Sequence, residues 1–343
     1  VDRKTRGKKN NKNRKGNGKR KINKSRKYNQ NCKTTTIKNQ SGLKRNRTKK
    51  NISMDEHLEQ KFKKLRCSPQ LKDEQESDYT CYNKRSLDKM KNLWNARHPD
   101  SKIKTNDSKQ IWAQLKNRLS NVCNNERCWM EQQFMKSGID NTIKNFTFAP
   151  FSPGKWKQNP NEWLSSVDIL NVMKQYEKTY PCFEFIGPSP IDFDKRKMYG
   201  ECVWEELCHF NLENQIKKKK TKIGVSFNLD PHYKPGSHWV SLFINIKKKT
   251  IFYFDSNGDK IPRQINGFVK RVIQQGNKLG MNFKFDSNHP KEHQEENTEC
   301  GIYSLYFLIN QLKDKFNPAI LKKKRINDKT MQRFRKIYFN EAI

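Results

Sequence analysis

The sequence is short of acidic residues and of long apolar runs, and each shortage excludes a class of protein. Its 343 residues contain 35 Asp and Glu against 72 Lys and Arg, a formal net charge of +37, and 33% of them are hydrophobic. No apolar run approaches the roughly 18 to 20 residues that a membrane-spanning helix needs. The basic N-terminal residues also lack the apolar core of a secretory signal. The composition therefore excludes a membrane protein and predicts a chain that stays on the reducing side of a membrane.

Cysteine is also scarce, and its pattern bears on the redox state of the chain. The nine cysteines form an odd set without regular spacing. Small secreted domains held by disulfides instead carry dense, paired cysteines. We therefore expect free thiols, of which one can be reactive.

Two groups of residues carry metal-binding atoms without the spacing that a metal site favours. The first group lacks the paired C-x-x-C spacing of zinc modules, so buried thiols are the better interpretation. Its members are Cys67, Cys81, His98, Cys123 and Cys128. The second group encloses Trp204 and Leu207, which indicates a helix packing face. Its members are Cys202, Cys208 and His209. We assign no metal and no cofactor.

The positive charge is concentrated at the N-terminus. Residues 1–50 contain 21 Lys and Arg and one acidic residue, a net charge of +20, with almost nothing apolar. Such a segment cannot offset the entropy of ordering by burial, so residues 1–52 are predicted to be a disordered basic leader. The leader is either a solvated extension or an electrostatic arm that binds nucleic acid without sequence preference.

Residues 53–148 have the pattern of a small helical accessory domain. Apolar residues recur at three- and four-residue spacing in two segments, which predicts two amphipathic helices. Ser86 is the expected N-cap of the first helix. The second helix, around Trp112, is expected to start at Asp107 or Ser108.

From residue 149 onward, strand patterns predict a separate domain. The segment that begins at His238 alternates between two faces and is followed by a turn of three lysines, Lys247 to Lys249. A second β-rich segment then ends at Asp255, before an Asn-Gly turn signal. The two strands should form a hairpin with His238 and Asp255 at its open end. If residue 240 opposes residue 255, the carboxylate can hold the imidazole.

A cysteine lies at the start of a predicted helix further along the chain. After Cys300, apolar residues recur with helical period through residue 312. The positive end of a helix macrodipole favours a thiolate over a thiol. Gly301 permits close approach of a substrate backbone, and the N–H of Cys300 and the amide of Gln294 are available oxyanion donors. Together with His238 and Asp255, these are the parts of an acyl-transfer site.

The order and spacing of these motifs resemble the SUMO proteases, adenovirus proteinase and the polyprotein proteases of large DNA viruses. The shared elements are His238-Trp239, Asp255-Ser256 and Gln294-x-x-Asn297-x-x-Cys300-Gly301. The resemblance implies an α+β, papain-like cysteine protease fold over residues 149–343, with the helical domain before it. It also implies that His238 is the general base, Asp255 its orienter, Gln294 an oxyanion donor and Cys300 the nucleophile.

The same resemblance implies how substrate is selected. Trp239, and Trp163 as the candidate for the opposite wall, would form a narrow tunnel that admits small residues, typically Gly-Gly, before the cut. This sequence has Ser165-Ser166 where the family has Asn-Asp, and Asp168 comes two places late. That departure argues against a plain SUMO protease.

The residues upstream of the protease and the Lys- and Asn-rich composition resemble thiol proteases of giant DNA viruses of the mimivirus kind. This implies an endopeptidase that processes viral structural or core proteins during virion maturation. We expect it in the virion or in the host cytoplasm and viral factory, with protein substrates and nonspecific nucleic acid as partners. One alternative is an isopeptidase of the desumoylase or deubiquitinase type. The other is a nucleic-acid-binding structural protein with a vestigial protease fold.

Overall fold

The computed structural model describes residues 62–69, 77–136 and 138–341. The predicted basic leader, residues 1–52, lies outside this part of the chain. Within the described ranges, no helix is both long and apolar enough to cross a membrane.

The described residues before residue 149 are mainly helical and share a hydrophobic core. Leu87, Met90 and Trp129 are fully buried in it. The helices are α1 (Lys84–Arg97), α2 (Ser108–Leu119), α3 (Glu126–Glu131), α4 (Gln133–Lys136) and α5 (Asn141–Phe146). The sequence therefore predicted the helical character of this region.

One of the two predicted N-caps is confirmed and the other is wrong. Asp107 caps α2, because its side chain accepts a hydrogen bond from the N–H of Gln110. Helix α1 begins earlier than predicted, with Asn83 as its N-cap. Asn83 Oδ1 accepts from both the N–H and the hydroxyl of Ser86, so Ser86 lies inside the first turn. Asn is at least as good an N-cap as Ser, which is why the start can move to Asn83.

The helical region is joined to the end of the chain by Asn340. Its Oδ1 accepts from the N–H of Arg66 at 2.7 Å, and its Nδ2 donates to the carbonyl oxygens of Arg66 and Ala149. This buried amide connects three segments that are far apart in the sequence. The division into an accessory domain, 53–148, and a catalytic domain, 149–343, stays a prediction.

The remaining residues form a mixed sheet with helices on both faces. The strands lie in the order β1 (Phe183–Pro190), β2 (Lys222–Asn228), β3 (Trp239–Asn245), β4 (Thr250–Phe254) and β5 (Lys284–Ser287). The two outer pairings are parallel and the two inner ones antiparallel. The helices are α6 (Ser166–Thr179), α7 (Glu205–Cys208), α8 (Leu212–Lys217), α9 (Arg263–Lys278), α10 (Cys300–Leu312) and α11 (Asp328–Tyr338). This architecture is the α+β fold predicted from the sequence.

The central hairpin has the predicted register. Ser241 pairs with Phe254 in the antiparallel β3–β4 ladder, so residue 240 is opposite residue 255. Strand β3 is buried on both faces, because Trp239 and Phe243 face one hydrophobic core and Val240 and Leu242 face the other. Helix α10 packs in the first of these cores. The hairpin end and the N-terminus of α10 consequently meet.

The prediction that the cysteines are free thiols is wrong for three pairs. Disulfides join Cys67 to Cys81, Cys123 to Cys128 and Cys202 to Cys208. The fold brings their Cα atoms to 5.1, 5.5 and 6.3 Å, within the range that a disulfide requires. Spacing along the chain does not report these separations, so irregular spacing was a poor guide. Cys300 is a free, buried cysteine.

Candidate active site

His238 and Asp255 form a direct pair at the open end of the hairpin. His238 immediately precedes β3 and Asp255 immediately follows β4. The Nε2–H of His238 donates to Asp255 Oδ1 at 2.7 Å, since a carboxylate can only accept. The Asp255 side chain is fully buried, whereas that of His238 keeps 12% of its surface exposed. The imidazole is therefore held on one side and accessible on the other.

Asp255 is held in turn by Asn288, which no sequence motif singled out. Asn288, fully buried, accepts from the N–H of Asp255 at 2.9 Å and donates to its carbonyl oxygen at 2.6 Å. Asp255 Oδ1 also accepts from the N–H of Asn257 at 2.9 Å. Asn288 fixes the backbone and Asn257 the carboxylate, so the orientation of Asp255 does not depend on its contact with His238.

Cys300 is the first residue of α10 and is almost fully buried. It lies close enough to His238 to act on the imidazole. Burial alone lowers the pKa of His238, but the hydrogen bonds and charges of Asp255 and Cys300 outweigh it and raise that pKa to about 10. An imidazole with this pKa is protonated at neutral pH, which is the partner that a thiolate requires.

Gln294 lies beside Ser256, the residue that follows Asp255, with a fixed side-chain amide. The side-chain Oε1 of Gln294 accepts from the hydroxyl of Ser256 at 2.9 Å, and the backbone N–H of Gln294 donates to the Ser256 carbonyl oxygen. Because the amide oxygen is engaged by Ser256, the amide nitrogen is the end that can donate to another group. Ser256 therefore orients Gln294, a role that the Asp255-Ser256 motif did not reveal without the structure.

A cleft of about 950 Å³ begins beside the hairpin end and is lined by both candidate tryptophans, Trp163 and Trp239. Trp239 is buried, and its indole N–H donates to the carbonyl oxygen of Leu164 at 2.9 Å. Trp163 is 37% exposed. The hydrogen bond from Trp239 thus attaches the segment that carries Trp163 to the strand that follows His238.

The structure gives Gly301 a packing role. A Cβ at this position would lie 2.9 Å from Leu164 Cβ, closer than side chains tolerate. The absent side chain therefore lets α10 approach Leu164, whereas from the sequence we expected it to admit substrate. Asp168, which falls two places late in the family pattern, forms a capping box with Ser165 at the start of α6.

A buried ion pair next to the nucleophile also escaped the sequence analysis. Glu299, the residue before Cys300, is fully buried and accepts from Arg335 Nε at 2.7 Å. The same guanidinium donates to the carbonyl oxygens of Glu162 at 2.7 Å and Thr298 at 2.9 Å. Arg335 therefore joins the residue before the nucleophile to the segment that carries Trp163.

The segment between Gln294 and Cys300 has a further anchor in α11. Asp328 Oδ2 accepts from the N–H groups of Glu295 and Glu296 at 3.0 and 2.8 Å. Its Oδ1 accepts from the hydroxyl of Tyr303 at 2.9 Å. The structure thus brings His238, Asp255 and Cys300 together and places Gln294 against Ser256.

Known proteins resemble this chain in both sequence and fold. The Ulp1 protease family, C-terminal catalytic domain, matches residues 209–343. A thiol protease of Acanthamoeba polyphaga mimivirus is 30% identical over 266 residues, which cover 72% of this chain and 84% of that protein. A cysteine protease of African swine fever virus is 26% identical over 260 residues, 71% of this chain and 92% of that one.

A solved structure of the African swine fever virus protease has the same fold. It aligns with a TM-score of 0.59 at 20% identity, over 81% of this chain and 96% of that chain. The residues of the site and these relatives agree in the chemistry that they indicate. The chain belongs to the Ulp1 protease family and is a cysteine protease.

Proposed function

We propose that this protease is an endopeptidase that cuts after small residues, of the Gly-Gly-X type, and processes viral structural or core proteins during virion maturation. The observation that supports this most strongly is the His238–Asp255 pair beside Cys300, at the end of a cleft lined by two tryptophans. We further propose the virion, or the host cytoplasm and viral factory, as its location.

The proposed mechanism begins with an ion pair between the Cys300 thiolate and the His238 imidazolium. The thiolate attacks the scissile carbonyl carbon, and the oxygen that becomes negative is stabilised by the N–H of Cys300 and the amide of Gln294. His238 then gives its proton to the leaving amine as the C–N bond breaks, leaving a thioester. Water, deprotonated by His238, hydrolyses the thioester and restores the thiolate.

Asp255 acts throughout by holding the imidazole and by stabilising its charge. Its carboxylate is buried, so the interaction with imidazolium is weakly screened. Asn288 and Asn257 keep it in place when His238 loses its proton. The intact set disfavours the alternative of a structural protein with a vestigial protease fold.

Specificity for small residues follows in this proposal from exclusion. Trp239 is immobilised by its hydrogen bond to Leu164, and Trp163 lies on the same cleft. A substrate backbone that passes between two indoles has room for Gly or Ala beside the scissile bond but not for branched side chains. The viral role is supported by the relatives, since the mimivirus and African swine fever virus proteins are both viral.

We also propose that the protease binds nucleic acid without sequence preference. The leader carries a net charge of +20 over residues 1–50. In addition, exposed lysines at 217–219, 247–249 and 284 lie near the end of the sheet where β2, β4 and β5 begin and β3 ends. His238 and Asp255 lie at the other end. Phosphate binding to these lysines would therefore leave the catalytic residues accessible.

The proposed specificity is tested with two fluorogenic peptides that differ only at the two positions before the cut, Gly-Gly and Leu-Leu. We expect cleavage of the first and refusal of the second. Trp239→Ala should narrow the difference in kcat/KM between the two peptides. It should also lower kcat, because the scissile carbonyl is then held less well against Cys300. Val167→Ala, at an exposed position on α6, is the matched control and should behave as wild type. Equal cleavage of both peptides by the wild type would refute the tunnel.

The isopeptidase alternative is separated from endopeptidase activity by a second substrate pair. A ubiquitin-like modifier joined to a lysine side chain is compared with the same C-terminal Gly-Gly sequence inside a linear polypeptide. For an endopeptidase we expect efficient cleavage of the linear substrate, without a strong preference for the lysine-linked modifier. A strong preference for the lysine-linked modifier would favour the isopeptidase.

A further inference from the structure

A cluster of three side chains beside the cleft, with a carboxylate next to it, has the composition of a zinc site. Among the residues that the structure describes, the ligand atoms of Cys202, Cys208 and His209 all lie within 4.8 Å of one another. Glu205 lies next to this group, with its Oε2 3.0 Å from His209 Nε2. From the sequence alone no metal was assigned here, since Trp204 and Leu207 indicated a packing face and the spacing gave no sign that Glu205 lies beside His209.

We propose that, when its two cysteines are reduced, this cluster binds one Zn²⁺ through Cys202, Cys208, His209 and Glu205. Two thiolates, an imidazole and a carboxylate are a donor set that Zn²⁺ accepts in tetrahedral geometry. With metal–ligand bonds of about 2.0–2.3 Å, neighbouring ligand atoms lie about 3.3–3.8 Å apart. The separations of His209 Nε2 from Glu205 Oε2, 3.0 Å, and from Cys202 Sγ, 3.9 Å, are close to those values.

The backbone around the cluster is already organised for this set of ligands. Glu205 Oε1 accepts from the N–H of Cys202 at 2.6 Å, which orients the carboxylate as a secondary hydrogen bond does in metal sites. The N–H of His209 donates to the Glu205 carbonyl at 2.9 Å. Leu207, fully buried in the second core, anchors α7 to the sheet. Cys202 is buried, whereas the side chains of His209 and Glu205 are 59% and 54% exposed, so an ion can enter from solvent.

The disulfide between Cys202 and Cys208 is the oxidised form of the same pair. A phosphine or thiol reductant supplies two electrons, the S–S bond breaks, and two protons complete the thiols. Zn²⁺ then displaces both thiol protons and forms two Zn–S bonds. The other closely spaced pair, Cys123 and Cys128, has the amide of Gln132 beside it in place of an imidazole and a carboxylate.

The placement gives the site a structural consequence. Val203 and Trp204 lie between Cys202 and Glu205 in the sequence and line the cleft that also contains Trp163 and Trp239. Both the disulfide and the metal would tie this wall of the cleft to α7. The metal would do so in a reducing compartment, where the disulfide is lost.

The test measures zinc content and not activity. All samples carry Cys300→Ala, which removes the active-site thiol, and are reduced with a phosphine, loaded with Zn²⁺, desalted and analysed for metal per chain. We expect the double variant Cys202→Ser, Cys208→Ser to bind one Zn²⁺ fewer per chain than the Cys300→Ala parent. Cys123→Ser with Cys128→Ser, the matched control, should bind as much as the parent.

Two further variants test the site independently, in case the serine double variant misfolds. His209→Ala and Glu205→Gln alter half-exposed side chains and should each weaken Zn²⁺ binding about tenfold or more in a chelator competition. Substitution with Co²⁺ should give a thiolate charge-transfer band that the serine variant lacks. Equal zinc content in the parent and the serine variant, or unchanged affinity in His209→Ala and Glu205→Gln, would overturn the proposal.

Discussion

Replacing Asp255 with Asn isolates the charge of the buried carboxylate from its geometry. Asn257 N–H and His238 Nε2–H both donate to Asp255 Oδ1, so the amide oxygen of an Asn must occupy that position. Its NH₂ group then faces the hydroxyl of Tyr253, which lies 3.4 Å from Oδ2 and can accept. Asn288 continues to hold the backbone. The imidazole therefore keeps its hydrogen bond and loses only the negative charge.

The size of the effect follows from that charge. At a separation of about 4 Å and an effective dielectric constant of about 20, one charge pair is worth about 4 kcal/mol. Because the same charge also stabilises the imidazolium of the resting enzyme, this energy is the upper bound of the effect on the rate. At about 1.4 kcal/mol per factor of ten, kcat/KM for a Gly-Gly fluorogenic peptide should fall between about 10-fold and about 10³-fold at neutral pH. Activity should remain measurable, in contrast to Cys300→Ala.

The pH profile gives a second, independent readout. The His238 pKa of about 10 places the alkaline loss of wild-type activity near pH 10, because the imidazolium is lost there. Asp255 favours the charged imidazole, so Asp255→Asn should lower the pKa of His238 and move the alkaline limb to lower pH. Asp259→Asn, at an exposed acidic residue just beyond the hairpin, should leave rate and limb unchanged. Less than a tenfold loss in Asp255→Asn, or an equal loss in Asp259→Asn, would refute the role given to the buried charge.

Three further predictions concern other parts of the site and the leader. Gln294→Ala should lower kcat about 10²-fold or more, because it removes an oxyanion donor; a loss confined to KM would make Gln294 a binding residue. Arg335→Met leaves the buried Glu299 unpaired and should reduce the free energy of unfolding by about 3–5 kcal/mol, measured by urea titration. Glu299→Leu in the same chain should recover most of that loss, and exposed Arg333→Met should have no effect; a loss in Arg335→Met no larger than that in Arg333→Met would contradict this role. A chain beginning near Ser53 should keep its activity on short peptides but lose most of its affinity for DNA. That affinity should fall steeply with salt in the full chain, and equal DNA affinity of the two chains would leave the leader without this role.

Local patterns carried enough information for the central site. Alternation in β3 and the turn at Lys247 to Lys249 predicted the hairpin. The register that opposes residues 240 and 255, which was the condition for the His238–Asp255 contact, is the one that the structure has. The helical period after Cys300 located the N-terminus of α10 to within one residue. These features depend on residues near one another in the chain.

The supports of the site could not be found in the same way. Asn288 contacts Asp255 across 33 positions, and Arg335 contacts Glu299 across 36. Neither residue belongs to a repeating pattern, and either would pass as an ordinary polar residue of a loop or helix. The disulfides escaped for the same reason, since bonding depends on spatial separation. Ser86 shows a smaller failure, because two adequate caps stood three residues apart and the structure uses Asn83.

The central claim is that Cys300 is the nucleophile and that His238 activates it. The most direct measurement uses a peptide ending in Gly-Gly with an electrophilic vinyl group in place of the scissile carbonyl, followed by mass spectrometry of the digested protein. We expect one adduct per chain, located on Cys300, absent from Cys300→Ala and formed far more slowly in His238→Ala. An adduct on another cysteine, or equal labelling of His238→Ala and the wild type, would contradict it.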